Sequence, residues 1–85
     1  MAANFGRVIV TDATDTHTLV VYRNVEWEEF IAVVRYLPRN AVKFKPVIVS
    51  TYHSADRGDA LSTGFRELAK ATRNNITRAL DPELY

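Results

Sequence analysis

His53, Asp56 and Asp59 recur at three-residue intervals in "HSADRGD", shortly after the apolar run "VIV". Imidazole and carboxylate groups are the donors of a divalent-cation site, or the base and acid of a hydrolytic one. Ser50 and Ser54 lie on either side of the histidine, so the residue types of a nucleophile, a base and an orienting acid share one stretch. The stretch "DATDTH" holds a similar set in Asp12, Asp15 and His17. Neither spacing belongs to a motif that fixes its ligands or its catalytic groups on a known scaffold. The chain also lacks a Gly-x-Ser-x-Gly elbow, a P-loop and a Gly-x-Gly-x-x-Gly turn.

Structural duties account for part of the first stretch. Asp59 is a credible N-cap for a helix that follows, Gly58 suits a tight turn, and Asp56 places favourable charge near the helix N-terminus. Tyr52, His53 and Arg57 are left without such a duty. Loops held by a rigid scaffold are where contacts with other molecules concentrate, so these three are candidate partner-binding residues. No catalytic residue, metal ligand or cofactor is expected.

The elements that must position these groups follow from the apolar pattern. "RVIVTD" (Arg7 to Asp12) and "HTLVVYRN" (His17 to Asn24) read as two β-branched strands joined by a short polar turn. "VEWEEFIAVVRYL" reads as a first helix: Asn24 caps it, three glutamates fill its first turns, and Trp27, Phe30, Ile31, Val34 and Leu37 recur at helical spacing until Pro38. Its centre "FIAVV" suits a strand buried on both faces as well. "AVKFKPVIVSTY" (Ala41 to Tyr52) reads as the third strand, with Pro46 requiring an edge position, a bulge, or a start at Val47. A last helix is expected from Ala60 to Leu80, with the stripe Leu61, Phe65, Leu68, Thr72, Ile76 and Ala79. The expected fold is a single α+β domain over residues 1–85, ordered β-β-α-β-α, with a three-stranded mixed sheet packed against two helices. A right-handed crossover would set the third strand parallel to the second. That places the "DATD" turn and the "HSADRGD" loop at opposite ends of the sheet.

Composition narrows the class. Eighty-five residues, 47% hydrophobic and 25% charged, fit one ordinary globular domain. The absence of cysteine excludes a disulfide framework and fits a reducing cytoplasm. The start "MAANFGR" carries no basic and apolar signal pattern, and "FIAVV" is too short to cross a bilayer, so no membrane association is expected.

Charge is uneven along the chain. Residues 1–34 carry two arginines against five carboxylates, and residues 35–85 carry nine cations against five. Arg66, Lys70 and Arg73 form a row on the last helix; Arg35 and Arg39 end the expected first helix and Lys43 and Lys45 follow it, so two helices running in the same sense bring these basic groups to one end. Such a ridge contacts phosphate in a nucleic-acid-binding module, or is simply a solvated face. Tyr36 with Arg35 and Arg39 makes a second candidate partner-binding group, since tyrosine and arginine are enriched in binding hot spots. Ala60, Gly64 and Ala71 form a small-residue strip that packs on the protein's own sheet or on a second subunit.

Three functional readings follow. The first is a small non-catalytic intracellular interaction protein, an inhibitor or adaptor that docks on a macromolecular protein partner; a small protein of a phage or other mobile element fits this profile. The second is a nucleic-acid-binding module using Arg66, Lys70, Arg73, Lys43 and Lys45. The third is a small hydrolase or nuclease at His53, Asp56 and Asp59.

Overall fold

The computed structural model describes residues 5–39 and 45–78. Four strands precede one helix: β1 (Arg7–Ala13), β2 (His17–Asn24), β3 (Glu29–Tyr36), β4 (Val47–Ser54) and α1 (Arg57–Asn74). The strands form one sheet in the order β1-β2-β3-β4, with every neighbouring pair antiparallel. α1 packs across one face, over β2, β3 and β4.

This replaces the expected β-β-α-β-α order with β-β-β-β-α, and the three-stranded mixed sheet with a four-stranded antiparallel one. The difference lies in "EFIAVVRY". Phe30, Ala32 and Val34 join the core under α1, while Ile31 and Val33 are fully buried on the opposite face. Five consecutive apolar residues therefore bury alternately on two faces, and β-branched side chains favour that arrangement over a helix. With β3 a strand there is no crossover, and β4 runs antiparallel to β3.

Asn24 shows why the two readings compete. Its side-chain Oδ1 accepts a 3.0 Å hydrogen bond from the Trp27 amide, the reach an N-cap uses. Here the bond closes a turn rather than opening a helix. Glu28 donates its amide to the Val25 carbonyl, and its φ of 51° turns the chain back into β3.

β4 begins at Val47, directly after Pro46, and lies at a sheet edge, where a missing amide donor costs no ladder bond. The segment before it, with Phe44 and Lys43, lies outside the described residues, as do Ala79, Leu80 and the "DPELY" tail. The helix is shorter at its C-terminal end than its expected range and starts earlier. Asp56, not Asp59, is the N-cap: its Oδ2 accepts from the Asp59 amide at 3.1 Å. Asn75 ends the helix in a left-handed conformation (φ 50°, ψ 51°).

The core lies between α1 and the sheet. Leu19, Val21, Phe30, Ala32, Val34 and Val49 meet Ala60, Leu68 and Ala71. Each fully buried large aliphatic contributes roughly 1.5–3 kcal/mol by leaving water. The small-residue strip sets how close the helix sits. A Cβ on Gly64 would stand 3.1 Å from both Ala32 Cβ and Leu19 Cδ1. Ala60, Gly64 and Ala71 are thus consumed by the protein's own sheet, the first of the two expected partners, and a second subunit finds no accessible surface there.

Candidate functional site

The two ends of the sheet carry different groups, and the register assigns each one. His17 pairs with Tyr36, and Tyr36 with Val47, so the β1–β2 turn shares an end with the start of β4. Phe30 pairs with Ser54 and Asn24 with Glu29, so the β2–β3 turn shares the other end with the N-terminus of α1. The "DATD" turn and the "HSADRGD" loop are at opposite ends, although no crossover puts them there.

At the β1–β2 turn end, His17 is fully buried. Its Nε2 donates to the Ile76 carbonyl at 2.7 Å, and its Nδ1 lies 2.7 Å from Thr16 Oγ1. A carbonyl only accepts, so Nε2 carries the proton and Nδ1 is left to take the threonine hydroxyl. The Thr14 hydroxyl adds a 2.8 Å bond to Thr72. His17 is therefore a tie between the sheet and the segment leaving α1. Beside it lies a hollow of ≈ 710 Å³, lined by Asp15, Thr16, Tyr36, Leu37, Pro38, Arg39 and Asn75. Tyr36 and Arg39 come together there. Arg35 does not join them: it points to the other face of the sheet, where its Nη2 donates to the Tyr22 hydroxyl at 3.3 Å.

Tyr52, His53 and Arg57 also divide. Tyr52 faces the helix and donates a 2.6 Å hydrogen bond to Asp59 Oδ2. That bond holds the Asp59 carboxyl below the usual carboxylate range and, with burial, pushes the Tyr52 phenol up. Asp59 Oδ1 further accepts from Thr63 Oγ1 at 3.4 Å. His53 stands on the opposite face, and its Nδ1 donates to Glu29 Oε1 at 2.8 Å. Arg57 is exposed in the first turn of α1.

The spacing of His53, Asp56 and Asp59 thus brings no reactive group together. Asp56 is spent on the helix cap, Asp59 on Tyr52 and Thr63, and His53 pairs with a carboxylate from another strand. Among the described residues, no group of three or more His, Cys, Asp or Glu side chains is placed to hold a metal ion.

The basic ridge is present in part. Arg66, Lys70 and Arg73 are exposed along α1, and none forms a salt bridge among the described residues. Lys45 is exposed ahead of β4, whereas Lys43 lies outside the described residues. Phe65, expected in the helix stripe as core, is 43% exposed beside Arg66.

Trp27 is also placed wrongly by the sequence reading. A helical reading buries it, but the β2–β3 turn leaves it 61% exposed, next to Val25 at 72%. A hollow of ≈ 330 Å³ runs from Gly6 and Arg7 through Arg23 to Asn24, Val25, Glu26 and Trp27. The visible signal was the alternation "NVEWEE", in which Val25 and Trp27 each stand between polar residues. This turn is well held: Asn24 is itself buried and bonds the Trp27 amide, and Arg23 lies over the Phe30 ring, 5.1 Å from its centroid.

Among the described residues no helix is long and apolar enough to cross a membrane. Comparison of the chain with protein-family models, with curated proteins and with solved structures returns no match.

Proposed function

We propose that this chain is a small non-catalytic interaction protein, an inhibitor or adaptor, that docks on a protein partner through the β2–β3 turn. The observation that carries this reading is the exposure of Trp27 and Val25 on a turn fixed by the Asn24 side chain. A large aromatic held out in water gains most when a partner's pocket covers it, and its rigid mounting lowers the entropy lost on binding. Arg7 and Arg23 line the same hollow, which adds the other residue type enriched at binding hot spots. The Tyr36–Arg39 hollow and the Tyr52, His53 and Arg57 group are peripheral in this reading, since Tyr52 and His53 already have intramolecular partners.

Affinity capture from the native host, with and without nuclease, tests it. A stoichiometric protein partner that survives nuclease is the expected result. Loss of all captured material on nuclease treatment contradicts it.

A second reading rests on a separate observation: the exposed row Arg66, Lys70 and Arg73 along α1. Cations in such a row contact the phosphate backbone, the sequence-independent part of nucleic-acid binding. Under this reading, binding to a random single strand weakens steeply with salt, and Arg66→Ala with Arg73→Ala flattens that slope. No binding at low salt excludes it.

A further inference from the structure

β1 is an edge strand with an unusual face pattern. On a regular strand, residues five apart point to opposite faces. The ladder between β1 and β2 shifts register between Val8 and Val10, so Ile9 is an extra residue in a bulge. Arg7 consequently stands opposite Arg23, Val10 opposite Val21 and Asp12 opposite Leu19, all on the helix side of the sheet. Val8 and Thr11, opposite Tyr22 and Val20, share the other side. The bulge thus brings Arg7 and Asp12 onto one face, near the two ends of the same edge.

The surface beside this edge is incompletely covered. α1 lies over β2, β3 and β4, and its two flanks are identified by their bonds. Asp59 reaches Tyr52 on β4, and Thr72 reaches Thr14 in the β1–β2 turn. Phe65 is seven residues before Thr72, two helical turns back on the same flank, so its exposed ring belongs to the β1 side. Ile9 and Val10 are only partly buried against the core, and Val8 is 50% exposed on the other face.

The geometry points to a second copy of this chain as the occupant of the β1 edge, in a two-fold antiparallel β1–β1 pairing that makes one eight-stranded sheet. A two-fold axis perpendicular to the sheet, passing between Ile9 and Val10, sets Arg7 of each copy opposite Asp12 of the other and Val8 opposite Thr11. Each facing pair is on the same side of the sheet, which the bulge alone makes possible. The charges match at both ends of the paired edge. Neither Arg7 nor Asp12 has a salt-bridge partner among the described residues. Arg7 also faces Arg23 within its own chain, a like-charge pairing that costs stability and that the second copy's aspartate offsets. The Phe65 flanks of the two helices then face one another across the joined β1 strands. The interface is isologous, as closed dimers require.

Sedimentation over a concentration series, with charge-swapped variants, tests the pairing. The wild-type chain is expected to pass from one chain's mass to twice that mass. Arg7→Asp and Asp12→Arg each replace two attractive pairs with two repulsive ones and should weaken association about tenfold or more. The double variant Arg7→Asp, Asp12→Arg restores both pairs with the signs exchanged and should recover the dimer. Circular dichroism checks that each variant is folded. Should a single variant fail to fold, wild-type amide exchange decides: β1 amides should gain protection as concentration rises. A wild type that stays monomeric throughout overturns the proposal, as does a folded double variant no tighter than its parents, or β1 exchange that ignores concentration.

Discussion

Tyr52 and Asp59 join β4 to the first turn of α1 through a 2.6 Å hydrogen bond from phenol to carboxylate. The bond lowers the Asp59 pKa, so the folded state binds its proton less readily than the unfolded chain does. The stabilisation is present above the unfolded carboxylate pKa and is lost as pH falls through the folded one. The same bond raises the Tyr52 pKa, so that contribution is present at neutral pH and disappears only in strong alkali. Tyr52→Phe should therefore be less stable than wild type near pH 7. Denaturant midpoints of the two proteins should converge as the solution is acidified below the carboxylate range. A gap that is constant with pH would contradict the assignment.

Gly64 governs the distance between α1 and the sheet. A side chain there meets Ala32 and Leu19 at 3.1 Å from its first carbon. Ala32 Cβ is tied directly to the backbone of a central strand and has no rotamer to yield. Gly64→Leu should cost about 3 kcal/mol or more through overpacking, read as a fall in the urea midpoint. The same loss should appear at any protein concentration, because this surface faces the protein's own core.

Thr51 Oγ1 is buried with no hydrogen-bond partner among the described residues. Thr51→Val keeps the branched shape that suits a strand and removes the desolvated hydroxyl. Thermal unfolding should show a gain of about 1 kcal/mol, since an unmade buried hydrogen bond costs on that order.

His17 ties Ile76 to β2 through Nε2. His17→Phe fills similar space but leaves the Ile76 carbonyl without its donor. Removing one partner of a buried bond costs about 1–3 kcal/mol, and urea unfolding reads the loss. Chelators should leave the wild-type midpoint unchanged, because this imidazole is engaged by a carbonyl and a hydroxyl.

Much of the polar framework was legible in the sequence. β-branched density located β1 and β2, and the start of β4 at Val47 was one of three alternatives that Pro46 left for a strand expected from Ala41. Asp56 and Asp59 announced a helix start, but the cap moved from Asp59 to Asp56, and Gly58, expected in a turn before the helix, lies inside its first turn without a positive φ. The misplaced element was β3. Phe30, Ile31 and Val34 satisfy a helical repeat, and they also satisfy burial on both faces of a sheet. Only the pairing of His17 through Asn24 with Tyr36 through Glu29 decides between the two, and pairing is a long-range fact. A helical reading of this segment sets Trp27 on a buried stripe and hides its exposure. The partner-binding group failed for a related reason. Arg35 and Tyr36 are adjacent in sequence, so in a strand they point to opposite faces, whereas in a helix they flank one another. The small strip Ala60, Gly64 and Ala71 was recognisable as a close-packing surface, but spacing alone did not say whether sheet or second subunit would fill it.

Docking through the β2–β3 turn is tested most directly by comparing wild type, Trp27→Ala, and Arg66→Ala with Arg73→Ala in nuclease-treated capture from the native host. Trp27 is exposed, so its truncation should leave the circular dichroism spectrum and the urea midpoint essentially unchanged. The predicted result is a stoichiometric protein partner retained by wild type and by the arginine variant, and lost with Trp27→Ala. Undiminished capture by Trp27→Ala, or loss confined to the arginine variant, would contradict it.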